Sequence, residues 1–225
     1  MTFIIAELSN NFGGDLRKAQ DMIRAAAKCK CDAVKFQLYR PDDLPDYDPK
    51  VNFAIPEDWI PQLFAVAYEA EIPLFASVFE SWAVDALRPY QPIAYKIASP
   101  ESTLLNRRVY ESIARAVHAE HISKLFVSTG KSQMEWAHSL TPDLIFYCKK
   151  GYPAVLEESD LDAMELIRQG FSDHTVGIIG TLAMVQAGAT YIEKHFKLDD
   201  NCVDAAFSLN PRQMQSLCRK ASKWR

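Results

Sequence analysis

One pattern repeats along this chain and limits what it can become: a short run of apolar, β-branched and aromatic residues, then a longer stretch with helical periodicity. The expected strands run from Phe3 to Leu8, Ala33 to Tyr39, Pro73 to Phe79, Ala94 to Ser99, Lys124 to Thr129, Leu144 to Cys148, around Phe171, and from Tyr191 to Phe196. Between them, Leu16, Ala19, Ile23 and Ala26 share one face of DLRKAQDMIRAAAKCK, and Val109, Ile113, Ala116 and Val117 share one face of NRRVYESIARAVHAE, as amphipathic helices require. Most strand runs lack polar alternation, the mark of parallel strands covered by helices, and helical crossovers demand parallel pairing. Eight such units predict an α/β protein, a closed (β/α)8 TIM barrel. A chain of 225 residues is near the lower size for that fold, so residues 1–225 are expected to form a single domain with one long loop, Arg40 to Asp58, and no second domain. An open doubly wound sheet is the alternative, although no glycine fingerprint follows any strand.

The net charge of −4, from 25 basic and 29 acidic residues spread along the chain, leaves no basic face for a phosphate backbone, so nucleic acid is not an expected partner. No window approaches the roughly 18 uninterrupted apolar residues of a membrane helix. The start, MTFIIAELSNNFGGD, lacks the basic stretch of a signal peptide. The expected location is cytoplasmic. Five scattered cysteines (Cys29, Cys31, Cys148, Cys202, Cys218) read as reduced thiols in packing positions rather than as a disulfide framework or a zinc site.

In a barrel, chemistry sits where strands end and loops begin. Those ends are polar here: Glu7 with Ser9, Asn10 and Asn11; Lys35 and Gln37; Ser77; Lys96, Ser99 and Glu101; Ser128 and Thr129; Tyr152; Ser172, Asp173 and His174; Glu193, Lys194 and His195. Lys35 and Lys96 with several serine hydroxyls suit a small phosphorylated acid. His174 and His195 end neighbouring strands, so their imidazoles can converge on one metal ion. Equally, each can bond a carboxylate in its own loop, Asp173 or Glu193, and the residues alone leave both readings open.

The stretches IAELSNNFGGDL, DAVKFQ, FASVFE, YKIASPE, VSTGKS, FSDHTVGI, GATYIEKHFKLD and DAAFSLNP resemble, in order and spacing, those of the sialic acid synthase family. That resemblance runs nearly end to end. It implies condensation of phosphoenolpyruvate with an N-acetylmannosamine-like aldose to give a nonulosonic acid and inorganic phosphate. It also implies a divalent ion, Mn2+ or Mg2+, on His174 and His195. Lys35, Lys96, Ser77, Ser99, Ser128 and Ser172 would hold phosphoenolpyruvate. Glu7, Gln37, Glu101, Tyr152, Glu193 and Asp204 would lie near the reacting carbons and the sugar. Glu7 or Glu101 is the candidate to move the proton of an attacking water, and Lys96 to stabilise the departing phosphate.

The chain departs from the family pattern at several points. Phe12 replaces a histidine, and Cys202, Val203 and Ala205 surround Asp204 where the family has other residues. Lys149 and Lys150 precede Tyr152, and Lys150 is expected to supply a charge where the family has a phosphate-facing asparagine. Family members continue into an antifreeze-like domain that covers the site of a partner subunit. No such domain is expected within residues 1–225: either the sequence is a truncated or single-domain member, or a separate lid domain or partner protein covers the site; the resemblance implies a homodimer, of a kind that elsewhere relies on swapped domains. Other readings remain: a Schiff-base aldolase using Lys96 or Lys35, a catalytically impaired or partner-dependent barrel that binds phosphoenolpyruvate, and a synthase acting on another sugar or a sugar phosphate.

Overall fold

Eight parallel strands close on themselves in the computed structural model, which describes residues 2–99, 107–120, 123–167 and 169–224. The strands are β1 (Phe3–Glu7), β2 (Ala33–Leu38), β3 (Leu74–Val78), β4 (Ala94–Ile97), β5 (Lys124–Thr129), β6 (Leu144–Cys148), β7 (Gly170–Asp173) and β8 (Tyr191–His195). Each pairs with its sequence neighbours, and β1 also pairs with β8, in the register Phe3 to Tyr191 through Glu7 to His195. That closing pair excludes the open doubly wound sheet. Helices follow the strands: α1 (Leu16–Lys28), α2 (Ile60–Glu69), α3 (Ser81–Leu87), α4 (Arg107–Glu120), α5 (Met134–Ser139), α6 (Glu158–Ile167), α7 (Ile179–Gln186) and α8 (Pro211–Ala221). Among the described residues no helix is long and apolar enough to cross a membrane.

The helices dock through the faces that their periodicity predicts. Helix α1 buries Ala19, Met22, Ile23 and Ala26 against the outside of the sheet, and the Asp15 carboxylate caps its start by accepting from the Arg17 and Lys18 amides. Helix α8 buries Met214, Leu217, Cys218 and Ala221, and Asn210 and Gln213 cap its start reciprocally. Four of the cysteines are buried as free thiols and Cys202 is half-buried. Cys31 and Cys218 face each other with their sulfurs 3.9 Å apart.

Inside the barrel the alternation of each strand separates two chemistries. The lower layer is apolar: Ile5, Ala33, Phe75, Ala94, Phe126, Leu144 and Phe146 pack together, with Phe3 and Tyr191 against them. Phe75 and Phe126 meet edge to face, their centroids 5.9 Å apart, and Phe126 and Tyr191 do likewise at 6.0 Å. Two residues further along each strand the side chain is Glu7, Lys35, Ser77, Lys96, Ser128, Cys148, Ser172 or Glu193, one from every strand, and all eight line a single cavity. A period of two thus converts eight strands into an apolar plug with a polar floor on top.

The plug leaves no spare volume at Gly170. A Cβ there would stand 2.6 Å from both Cγ and Cδ1 of the Phe146 ring, close to the ring's attachment and not at a flexible tip. Gly170→Ala is therefore expected to destabilise the barrel by about 1–3 kcal/mol through overpacking, read from denaturant unfolding. A midpoint equal to that of the wild type would show that the plug is looser than described.

Candidate active site

The polar floor is a network of opposite charges in direct contact. Lys35 ion-pairs with Glu7, donates to Ser77 Oγ at 2.6 Å, and lies 3.5 Å from Glu193 Oε2. Lys96 donates to Glu193 Oε1 at 2.9 Å and to Ser172 Oγ at 3.1 Å. Ser172 donates to Glu193 Oε1 at 3.2 Å and contacts Ser128 Oγ at 2.9 Å. Glu7 Oε1 accepts from the Ser9 amide at 2.6 Å. Glu7 Oε2 and Glu193 Oε2 both face the Lys35 ammonium.

Burial and pairing pull these groups in different directions. For Lys35, burial opposes the charge, but Glu193 and Glu7 outweigh it and raise its pKa. For Lys96, burial wins over Glu193, the neighbouring Lys35 adds to it, and the pKa falls. Glu193 is desolvated too, yet Lys35 and Lys96 bring it down to about 2. Glu193 is the joint of the network, held by both ammonium groups.

Two imidazoles stand on the rim above this floor. The rings of His174 and His195 are 5.2 Å apart, centre to centre, and Phe207 packs on both. His195 Nδ1 bonds Asp204 Oδ2 at 2.9 Å, which leaves Nε2 free, and burial followed by the neighbouring His195 holds His174 well below its usual pKa. Asp204 is itself lowered: burial raises its pKa, but His195, the Ser9 hydrogen bond and His174 together outweigh it. Its backbone amide donates to Asn11 Oδ1 at 2.9 Å. A carboxylate that fixes one nitrogen of a neutral imidazole is the usual support for a metal ligand. Among the described residues no third histidine, cysteine or carboxylate joins the two imidazoles in a ligand set.

The cavity holds about 280 Å3, close to the lower limit of typical ligand sites. Of the residues expected from the sequence, Glu7, Lys35, Gln37, Ser77, Lys96, Ser99, Ser128, Tyr152, Ser172, His174, Glu193, His195 and Asp204 all line it. Glu101 lies outside the described residues. Lys150 is a correction: it is exposed and not part of the lining. The chain leaves the barrel after Cys148, where Lys149 turns to Glu157 and Asp160 and Gly151 takes a left-handed φ of 127°, so Lys150 projects outward.

Several lining residues escaped sequence reasoning. Cys148 was expected to be packing only, although its place two residues after Phe146 puts it on the floor. Leu44, Pro45, Asp46 and Asn52, from the long loop after β2, form one lip of the mouth. Asn10 fastens that lip, its Oδ1 accepting from Tyr39 Oη at 2.7 Å and from the Phe53 amide at 2.9 Å. The only signal available was the length of the loop.

What this fold and this site define is a barrel enzyme working at the C-terminal ends of its strands on a small anionic substrate. Within that class, the chain belongs to the NeuB family, whose sequence profile matches residues 22–225. It is 34% identical to a pseudaminic acid synthase of Campylobacter jejuni over 92% of this chain and 69% of that protein. Its fold superposes on an N-acetylneuraminic acid synthetase from Leptospira borgpetersenii with a TM-score of 0.85, at 27% identity, covering 99% of this chain and 83% of that one. The spore coat polysaccharide biosynthesis protein spsE of Bacillus subtilis gives a TM-score of 0.81 at 30% identity, over 99% of this chain and 68% of that one.

Removing the joint tests the floor. Glu193→Gln leaves two buried ammonium groups short of a counter-charge and is expected to cost about 3–5 kcal/mol at neutral pH. Because the folded pKa of Glu193 is depressed from 4.5 to about 2, its contribution is complete above pH 4.5 and is lost as the pH falls towards 2. Unfolding titrations across that window should show a steeper loss for the wild type than for Glu193→Gln. Parallel curves would remove Glu193 from its central place.

Proposed function

We propose that this barrel condenses phosphoenolpyruvate with an open-chain acetamido aldose to form a nonulosonic acid and inorganic phosphate, with a divalent ion, Mn2+ or Mg2+, bound by His174 and His195. The observation that carries this reading is the polar floor, with one side chain from each strand and two ammonium groups at its centre, beneath two imidazoles on the rim. The names of the relatives, a pseudaminic acid synthase and an N-acetylneuraminic acid synthetase, support the acceptor class.

Each group has a task in that chemistry. Lys96, Ser128 and Ser172 form a cluster of donors suited to the phosphate, and Lys35 with Ser77 one suited to the carboxylate. Ser99 and Gln37 line the walls beside them. The enol carbon C3 attacks the aldehyde carbon of the sugar, and positive charge develops at C2 as the carbon–carbon bond forms. The carboxylates of Glu7 and Glu193 stabilise that charge. Glu7 takes the proton of the water that adds at C2, and Lys96 stabilises the phosphate as the tetrahedral adduct expels it. Tyr152 and Asp204, at the mouth, are placed for the sugar, with Asp204 also orienting His195. A divalent ion held by the histidines supplies Lewis-acid polarisation of the aldehyde oxygen.

Charge balance gives the ion a second use. Two lysines in the cavity face four carboxylates, Glu7, Asp46, Glu193 and Asp204, so the site is not electropositive without it. A multiply charged anion entering this site competes with those carboxylates for the same lysines, and a divalent cation nearby offsets the repulsion.

Phosphate release from phosphoenolpyruvate, measured with Mn2+ against a panel of acetamido sugars and sugar phosphates, tests the reading. Release that needs both an acetamido sugar and the ion is the expected result. Borohydride trapping of an adduct in the absence of metal would instead favour a Schiff-base aldolase on Lys96 or Lys35. His195→Ala is expected to lower Mn2+ affinity at least about tenfold with the fold intact, and Lys96→Ala to weaken phosphoenolpyruvate binding about tenfold or more. Titration calorimetry checks both, and unchanged affinities would contradict the assigned roles.

A further inference from the structure

Behind the two histidines, outside the barrel wall, lies an ion pair that substrate cannot reach. Asp173 and Lys194 are register partners on β7 and β8, each adjacent in sequence to a histidine of the rim. Their side chains are completely buried, with Lys194 Nζ 3.0 Å from Asp173 Oδ2. Among the described residues, their other side-chain bonds go to Thr175, next to His174, and to Thr181. Lys194 donates to the Thr175 carbonyl, Asp173 Oδ1 accepts from the Thr175 amide at 2.7 Å, and Thr181 on α7 donates to Asp173 Oδ2.

The segment has nowhere to move. A Cβ on Gly180 would stand 2.5 Å from Thr175 Oγ1, so α7 presses directly on Thr175. On the other side, the His174 carbonyl accepts from the Ala154 amide at 2.9 Å. The peptide units flanking His174 are thus fixed from both directions, and Lys194 fixes the residue before His195. The functional reading of the rim needs two imidazoles held at one spacing, and this pair sits where that spacing is set.

We propose that Lys194 and Asp173 are positioning residues whose buried ion pair fixes His174 relative to His195 and so tunes the affinity of the rim for its divalent ion. The inference rests on the metal reading given above. A pair serving stability alone would weaken the fold when removed and leave the ion affinity of the folded protein unchanged.

The test uses Asp173→Asn combined with Lys194→Met, which removes both charges together and the Lys194 bond to the Thr175 carbonyl while keeping an oxygen acceptor for the Thr175 amide, and separately Thr181→Val, which removes one hydrogen bond without changing shape. Circular dichroism establishes that each variant is folded at the temperature of measurement. Calorimetric titration with Mn2+ then gives affinity, the paramagnetic resonance line shape of bound Mn2+ reports its surroundings, and titration with phosphoenolpyruvate in metal-free buffer is the control. Mn2+ affinity is expected to fall about tenfold or more in the double variant, with a changed line shape, and to fall to a smaller extent in Thr181→Val. Metal-free phosphoenolpyruvate affinity should stay within about twofold. If the double variant does not fold, Thr181→Val decides by itself. Wild-type Mn2+ affinity in a folded variant overturns this inference alone, and a wild-type protein that binds no Mn2+ overturns both the inference and the metal reading.

Discussion

Everything in the upper barrel depends on the mutual neutralisation of Lys35, Lys96, Glu7 and Glu193. Four ionisable groups in the interior of a closed sheet are tolerable only when each is paired, because an isolated buried charge costs several kcal/mol. The pairing requires four strands, β1, β2, β4 and β8, to deliver their inward residues to one level. The closure of β1 on β8 is what brings Glu7 and Lys35 next to Glu193. The apolar plug below contributes the rigidity, since aromatic rings packed edge to face permit little sliding of one strand against another.

This arrangement joins stability to chemistry. The floor is satisfied internally in a way that a ligand can exploit, because the lysines already point inward. In the proposed reaction a phosphorylated acid would replace protein carboxylates as the partner of the same ammonium groups, which would need little reorganisation on binding. The rim is built on the opposite principle. Burial disfavours the charged form of His174, and Asp204 orients His195, an arrangement suited to lone-pair donation to a cation. Anion chemistry on the floor and cation chemistry on the rim meet within one small cavity.

Much of this was legible in the amino-acid order. The strands were visible because apolar runs bounded by polar residues have few alternatives, and the site followed from the same pattern: the residue two places beyond an inward apolar one is inward again and closer to the mouth. What was not legible depended on contacts distant in sequence or on a local turn. Lys150 stands where the family resemblance puts a phosphate-facing residue, yet it is exposed beside the turn at Gly151. Cys148, at the last inward position of that strand, took the place instead. Asp173 and Lys194 sat among site residues in the sequence, yet alternation sends them to the other side of the wall. Phe207 and the lip around Asp46 reach the site only through tertiary packing, for which periodicity carries no signal.

The central claim is that the lysine-bearing floor is the phosphoenolpyruvate site, and a crystal structure of the protein with phosphoenolpyruvate and Mn2+ tests it most directly. The account predicts phosphate oxygens within hydrogen-bonding distance of Lys96, Ser128 and Ser172, the carboxylate near Lys35, a longer separation between Lys96 and Glu193, and the ion on His174 and His195. Ligand bound elsewhere, with the Lys35–Glu7 and Lys96–Glu193 pairs undisturbed, would contradict it.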